Sequence, residues 1–212
     1  MVIAIDGPAG AGKSTVARGV ADALGITYLD SGAMYRCVAL AALRAGVDAD
    51  DAESAAEIAR EAVIVFEGDR VLLDGGDVTE LIRDPDVTAA AADVSVHPGV
   101  REAMVDRQRK LIASGSFVAE GRDIGTVVSP DSPLKVFLTA SDEERARRRA
   151  AQTGESAPTV LAAQRKRDAS DRQRAHGALK VAQDAVEVDT TSSDVSEVVS
   201  SIVAIARERG LP

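Results

Sequence analysis

Near its start the chain reads Val2-Ile3-Ala4-Ile5-Asp6-Gly7-Pro8-Ala9-Gly10-Ala11-Gly12-Lys13-Ser14-Thr15, which joins a short apolar strand to a glycine-rich loop and a helical pattern. The loop has the spacing Gly-x-x-x-x-Gly-Lys-Ser, which holds a nucleotide triphosphate when a strand precedes it and a helix follows it. Its glycines let successive backbone N–H groups converge on a phosphate, and the helix adds its positive end. The predicted ATP-binding residues are Gly7, Pro8, Ala9, Gly10, Ala11, Gly12, Lys13, Ser14 and Thr15.

Two side chains at the end of this loop are expected to act directly on the phosphates. Lys13 is predicted to reach the β- and γ-phosphate oxygens as a point charge, which makes it a candidate catalytic residue. The hydroxyl of Ser14 is predicted to complete the shell of a Mg²⁺ ion that bridges the same oxygens. The loop therefore predicts ATP with Mg²⁺ as its ligands.

The composition limits what else the chain does. Its 212 residues, 45% of them hydrophobic, suffice for one well-buried α/β core with a smaller appended element. A net charge of −9 argues against nucleic acid or an anionic membrane as a partner. No apolar run approaches the roughly 18 residues of a membrane span. The single cysteine, Cys37, cannot form an internal disulfide, which predicts a reducing cytoplasmic location.

Five short apolar segments predict a parallel sheet covered by helices on both faces, hence a three-layer α/β fold. The predicted strands cover residues 2–6, 26–30, 117–120, 134–138 and 185–189. The predicted helices cover residues 13–24, 100–113, 142–151 and 194–208.

The chain is predicted to form one P-loop domain over residues 1–212 with two appended segments. Residues 31–115 are far more than a crossover between neighbouring strands requires, so they are expected to be an inserted subdomain that binds the phosphoryl acceptor. Within it, residues 63–73 are typical of a hairpin with a glycine-containing turn. Residues 151–174 carry a glycine, a proline and many charges and are expected to be a mobile lid that excludes water.

Arginines are the side chains that phosphoryl transfer requires, because its catalysis is mainly positioning and charge neutralisation. Arg36 and Arg122 each follow a predicted strand, at the sheet edge where ligands of α/β proteins bind. Arg145 and Arg149 share one face of a predicted helix and are candidates for holding the donor phosphates, although ion pairing with upstream glutamates explains much of that cluster.

A second charged group lies in the predicted lid. Arg167, Asp171 and Arg174 are spaced i, i+4 and i+7, which places them on one face if a single helix contains them. A cation, a carboxylate and a cation suit a nucleoside monophosphate, since a carboxylate accepts from sugar hydroxyls and arginine binds phosphate bidentately. Alternating charge is also typical of an exposed helix.

From Val2 to about Asp189 the chain resembles the bacterial cytidylate kinases of the nucleoside monophosphate kinase group. The resemblance lies in the phosphate loop, in Leu29-Asp30-Ser31-Gly32-Ala33-Met34-Tyr35-Arg36, in Glu120-Gly121-Arg122-Asp123-Ile124-Gly125-Thr126-Val127-Val128, and in Arg167-Asp168 with Asp171 and Arg174. It implies transfer of the γ-phosphoryl of ATP to CMP, and to dCMP, by a monomer.

The same resemblance implies a role for each acceptor-binding residue. Ser31, Arg36, Arg122 and Arg174 are expected to hold the phosphate of CMP, and Arg122 and Arg174 to act in catalysis. Arg167 and Asp171 are expected to face the sugar, and Arg101 and Asp123 the cytosine. Ala92 stands where relatives often have a serine near the base, and Ser170 where they tend to have a basic residue.

Other functions stay open on the motifs alone. A related kinase for UMP, AMP or a metabolite hydroxyl would use the same loop. A GTPase would need an Asn-Lys-x-Asp signature, and the sequence contains no asparagine. A nucleotide-binding module without catalysis would have no need for the acceptor arginines.

Overall fold

The computed structural model describes residues 1–212 as two compact units. Its eight strands are β1 (Val2–Asp6), β2 (Thr27–Asp30), β3 (Ile64–Glu67), β4 (Arg70–Leu73), β5 (Gly76–Asp77), β6 (Phe117–Gly121), β7 (Leu134–Thr139) and β8 (Val186–Asp189). Its eight α-helices are α1 (Lys13–Leu24), α2 (Ser31–Ala45), α3 (Ala52–Glu61), α4 (Pro85–Val94), α5 (Pro98–Ile112), α6 (Asp142–Thr153), α7 (Ala157–Gln173) and α8 (Val195–Glu208). None of them is both long and apolar enough to cross a membrane.

The first unit comprises Met1–Asp30 and Leu111–Pro212 and contains a five-stranded sheet in the order β2-β6-β1-β7-β8. Every pairing is parallel, and β1 lies at the centre. All five residues of β1 are buried, as expected for the central strand of a parallel sheet. Its sequence is accordingly an apolar run that ends in an aspartate. The register pairs Asp6 with Gly121, so the phosphate loop and the segment after β6 leave the sheet at the same edge.

Helices α1 and α8 pack together and cover one face of this sheet. Val16, Val20 and Leu24 recur every fourth residue of α1 and lie in the core with Ile202 and Val203 of α8.

Side-chain caps mark where α6 and α8 begin. The Ser141 hydroxyl accepts from the Glu144 N–H at 3.2 Å at the start of α6, and Asp194 forms a capping box with Glu197 at the start of α8.

The second unit, Ser31–Lys110, contains α2, α3, α4, most of α5 and the antiparallel sheet β3-β4-β5. The hairpin predicted over residues 63–73 is present as β3 and β4, and β5 adds a third strand that the sequence did not predict. The second unit ends at Lys110, within α5, five residues before the end of the insert predicted over residues 31–115. The segment predicted as a lid, residues 151–174, contains the end of α6 and all of α7.

Candidate active site

The loop between β1 and α1 has a backbone that only glycine permits at three positions. Gly7, Gly10 and Gly12 have φ angles of 153°, 79° and 85°. A Cβ atom on Gly7 would collide with the backbone carbonyl oxygen of Leu138 in β7, so the loop lies against the sheet edge. Gly12 is also the N-cap of α1, where no side chain caps the helix. The first N–H groups of α1 are therefore available to an anion.

Lys13 lies under this loop rather than in solvent. Only 7% of the residue is exposed, and its Nζ donates a hydrogen bond to the Pro8 carbonyl oxygen at 2.8 Å. Burial, together with the charges of Arg122 and Arg167, lowers the pKa of Lys13 to about 7. Three cationic side chains thus act on one small region, which favours the binding of a multiply charged anion there.

An acidic group lies beside the start of α1. The Tyr28 hydroxyl donates to Glu120 Oε1 at 2.6 Å, and the Ser14 hydroxyl lies within hydrogen-bonding reach of both. Burial raises the pKa of Glu120, and the nearby carboxylate of Asp30 raises it further. Hydroxyl and carboxylate oxygens are the ligands that Mg²⁺ prefers. No cluster of three or more His, Cys, Asp or Glu side chains forms a complete metal site, so this group suits an ion that phosphate oxygens also bind.

Asp6 connects the phosphate loop to the segment that carries Arg122 and Asp123. Its carboxylate accepts the N–H groups of Ile124 at 2.9 Å and Gly125 at 2.7 Å, at the start of a π-helical turn over Ile124–Val128. Burial raises the pKa of Asp6 to about 6, although these two hydrogen bonds oppose the shift. The sequence placed Asp6 in a motif but gave it no role, and this contact between distant segments is visible only in the fold.

Arg122, Asp171 and Arg174 form a buried ionic group. Arg122 Nε lies 2.8 Å from Asp171 Oδ2, and Arg174 Nη2 lies 2.5 Å from Asp171 Oδ1. The Asp171 side chain is 1% exposed. Burial would raise its pKa, but the Arg122 and Arg174 guanidiniums outweigh that effect and hold the pKa below its usual range. The group therefore holds two arginines that a phosphate would also attract.

The prediction that one helix contains Arg167, Asp171 and Arg174 is wrong for Arg174. Helix α7 ends at Gln173, and Arg174 is its C-cap, with φ −55° and ψ 135°. Arg174 has therefore left the helical conformation. It still reaches Asp171, because the chain turns back there and the Leu179 N–H donates to the Asp171 carbonyl oxygen at 2.8 Å.

The two arginines predicted to hold the donor phosphates have different surroundings. Arg145 is 2% exposed, donates from Nη1 to the Ala9 carbonyl oxygen at 2.8 Å, and pairs through Nη2 with Asp168 at 2.7 Å. It thus contacts the backbone of the phosphate loop. Arg149 is exposed on α6 and lies 3.5 Å from Gln152 Oε1. A contact of either side chain with ATP stays a prediction.

A cavity of about 530 Å³, which we did not predict, adjoins the end of the phosphate loop. Arg148 of α6 forms one wall and donates from Nη2 to the Thr190 carbonyl oxygen at 2.5 Å. Thr190 Oγ1 in turn donates to the Ala11 carbonyl oxygen at 3.1 Å. The cavity lining also includes Thr191, Ser192, Ser193 and Asp194. The available signal was this run of hydroxyl residues directly after the last strand of the sheet.

Three predicted acceptor residues belong to the second unit. Ser31 is the first residue of α2, directly after β2, and Arg36 lies one turn further along that helix. Arg101, on α5, is 4% exposed and lies over the Tyr35 ring at 5.5 Å from its centroid. Asp123, in the first unit, directly follows Arg122 and is 6% exposed.

Comparison with known proteins decides the family. Residues 3–208 match the family model described as cytidylate kinase. The chain belongs to the cytidylate kinase family. The cytidylate kinase of Mycobacterium leprae (strain Br4923) is 48% identical over 215 residues, which cover 99% of this chain and 96% of that protein. The cytidylate kinase of Solibacter usitatus (strain Ellin6076) is also 48% identical, over 99% of this chain and 93% of that protein.

Solved structures of low sequence identity share only the fold of this cytidylate kinase family member. A gluconokinase from Sinorhizobium meliloti 1021 superposes with a TM-score of 0.55 at 17% identity, covering 99% of this chain and 93% of that one. An uncharacterised protein from Eubacterium ventriosum gives a TM-score of 0.57 at 13% identity, covering 98% of each chain. The predicted family, the α/β fold with its five-stranded parallel sheet and the class of ATP-dependent kinase are confirmed. The individual residue roles stay predictions.

Proposed function

We propose that this protein transfers the γ-phosphoryl group of Mg-ATP to CMP, and to dCMP, giving ADP and the cytidine diphosphate. One observation carries the proposal: Asp6, directly before the phosphate loop, accepts the N–H groups of Ile124 and Gly125, so the segment that carries Arg122 lies beside the loop that holds Lys13. Two sets of cations, one suited to a triphosphate and one to a monophosphate, therefore lie close together in the first unit. Relatives named cytidylate kinase support CMP as the acceptor.

The donor would bind with its phosphates along the loop from Gly7 to Thr15. The N–H groups at the start of α1 would donate to the phosphate oxygens, and Lys13 would move from the Pro8 carbonyl to the same oxygens. A bound phosphate would raise the pKa of Lys13 again, because the anion stabilises the charged amine. We assign the cavity beside Arg148 and Thr190 to the nucleobase of the donor, since it adjoins the loop and has both apolar and hydroxyl walls.

The residues around Ser14 fit the Mg²⁺ ion that the family implies. The Ser14 hydroxyl is exposed and would bind the ion directly, while Glu120 and Asp30 would hold its water ligands. When bound, Mg²⁺ neutralises charge on the donor phosphates. The Tyr28 hydroxyl, which donates to Glu120, keeps that carboxylate oriented toward Ser14.

The acceptor phosphate would bind to Arg122 and Arg174. Asp171 neutralises both arginines in this structure, so an incoming phosphate would compete with it for their guanidiniums. Asp171 would then accept hydrogen bonds from the sugar hydroxyls, beside Arg167. The resemblance adds Ser31 and Arg36 on the phosphate, and Arg101 and Asp123 on the cytosine. A carboxylate at the base accepts from the amine of cytosine and disfavours uracil, whose carbonyl is also an acceptor.

The reaction itself needs little from the protein beyond charge and position. A phosphate oxygen of CMP forms a bond to the γ-phosphorus, and the bond from that phosphorus to the bridging oxygen of ADP breaks. No general base is required, because the acceptor phosphate is already an anion at neutral pH. Lys13, Arg122 and Arg174 would stabilise the charge on the transferring group. The cytoplasmic location and monomeric state expected from the sequence and the resemblance remain proposals.

The test of this function is a panel of acceptors with coupled detection of ADP. We expect kcat/KM for CMP and dCMP to exceed that for UMP and AMP by about tenfold or more, because the base site would reject an acceptor with a mismatched edge. A faster reaction with UMP or AMP would support the related kinase instead. ADP release at background with every monophosphate would support a module without catalysis.

Asp171→Ala should weaken the acceptor far more than the donor. We expect KM for CMP to rise by about 10-fold to 100-fold, because the variant loses the sugar contact and leaves two arginines without their counter-charge. KM for ATP should change by less than about threefold, since Asp171 has no contact with the phosphate loop. Steady-state kinetics with each substrate varied in turn gives both constants. Asp131→Ala, on an exposed loop, is the control, and an equal rise in both constants would contradict the sugar role.

A further inference from the structure

The inward face of α7 is mostly polar. Val160, Gln164, Asp168 and Asp171 are its buried residues, and their spacing of four, four and three places them along one stripe. Three of the four are polar, so hydrogen bonds and ion pairs rather than apolar contacts hold this helix in place. Each such contact depends on the position of its partner.

Arg145 is the partner of two residues on this stripe. Its Nη2 lies 2.7 Å from Asp168 Oδ2, and its backbone carbonyl accepts from Gln164 Nε2 at 3.3 Å. Its Nη1 donates to the Ala9 carbonyl oxygen in the phosphate loop at 2.8 Å. With 2% of its side chain exposed, Arg145 joins the loop to α7 through the protein interior. The loop also packs directly against α6, because a Cβ on Gly10 would lie 3.1 Å from Arg145 Cβ.

The contact with Ala9 fixes the orientation of one peptide group in the loop. The carbonyl of Ala9 and the N–H of Gly10 belong to the same trans planar peptide and point in opposite directions. When Arg145 holds the carbonyl, the Gly10 N–H must point away from Arg145. A donor phosphate that binds this N–H therefore requires the orientation that Arg145 imposes.

The same stripe leads to the acceptor group. Asp168 and Asp171 are three residues apart on α7, and Asp171 pairs with Arg122 and Arg174. We propose that Arg145 and Asp168 are positioning residues that couple the two substrates: a donor in the phosphate loop stabilises the arrangement of α7 in which Asp171 meets the acceptor. The inference rests on the proposed function. Because binding energies are linked, the acceptor must stabilise the donor by the same factor.

The test is calorimetric titration of CMP into the full-length protein, with and without a β,γ-imido analogue of ATP and Mg²⁺. If the acceptor panel selects another monophosphate, that compound replaces CMP, so failure of the proposed substrate and failure of the coupling give different results. We expect the analogue to lower the Kd of the acceptor by about fivefold or more in the unmodified protein. In Asp168→Asn, which lacks the ionic partner of Arg145 on α7, the factor should fall to less than about twofold.

Asp142→Asn is the matched control, because Asp142 contacts the same Arg145 Nη2 at 2.6 Å but is 41% exposed and lies on α6. This variant should keep most of the coupling. The inference is overturned if the unmodified protein shows no coupling, if Asp168→Asn keeps the full factor, or if both variants lose it equally.

A second variant covers the case in which Asp168→Asn does not fold. Arg145→Met combined with Asp168→Leu replaces the buried ion pair by apolar side chains, which proteins often tolerate. It should melt as a single folded species and bind CMP alone with nearly the original Kd, yet show a coupling factor below about twofold. A folded double variant with the original factor would show that the pair only stabilises the fold.

Discussion

Lys13→Ala is expected to lower kcat by about a thousandfold while the protein stays folded. The side chain is the only ammonium in the phosphate loop, and removing one preorganised charge of this kind commonly costs that much. The protein should still fold, because burial of the charged amine is unfavourable and lowers the pKa of Lys13 to about 7, so its removal costs the folded state little. A coupled ADP assay at saturating ATP and CMP measures the effect, and circular dichroism checks the fold.

The matched control for Lys13 is Lys166→Ala, an exposed lysine on α7. This variant should keep kcat within about twofold of the original, because an exposed charge far from contact partners contributes little. A kcat for Lys13→Ala within about tenfold of the original would remove Lys13 from the mechanism. It would also remove the reason for placing the donor phosphates in this loop.

Arg122→Ala should lower kcat/KM for CMP by between about 100-fold and 1,000-fold. Arg122 acts on Lys13, whose pKa its charge lowers, and forms a 2.8 Å ion pair with Asp171. Its loss removes a guanidinium from the acceptor phosphate and one of the two ion-pair partners of Asp171. KM for ATP should change much less, because no contact joins Arg122 to the phosphate loop backbone.

Two comparisons sharpen the Arg122 experiment. Arg122→Lys keeps the charge but not the two parallel hydrogen bonds of a guanidinium, so it should recover only part of the activity. Arg70→Ala removes an arginine whose side chain is 60% exposed on the β3-β4 hairpin and should have no measurable effect. A loss that is equal for ATP and CMP would show that Arg122 supports the fold of the site rather than the acceptor.

The strands of the main sheet were predictable because each is a short segment of apolar or β-branched residues between helical patterns, which is a local signal. Strand β1 and helix α1 have the predicted bounds, and the other strands of this sheet differ by one residue at an end. Helix α4 was missed although Asp84 caps it and Pro85 occupies its first position, which is a usable signal. Helix α2 was missed for a physical reason: it follows β2 with no turn, and eight of its residues are buried.

Helix α7 shows the limit of patterns based on apolar spacing. Its buried stripe contains Gln164, Asp168 and Asp171, and side chains of this kind normally mark the exposed face of a helix. Their partners Arg145 and Arg122 lie far away in the chain, so no local window reveals that the charges are compensated. The spacing of Arg167 and Asp171 indicated a helix there, but its end at Gln173 depends on the turn back to Leu179.

The sequence by itself determined the chemistry of the protein: a loop for a triphosphate, arginines for a second phosphate, and a parallel sheet to hold them. These features are local, because a motif needs only neighbouring residues. The tertiary structure decided what each arginine contacts. Arg145 contacts the loop backbone from the interior, while Arg122 joins Asp171, 49 residues away. Such roles follow from distances between remote segments, and only the folded chain brings those segments together.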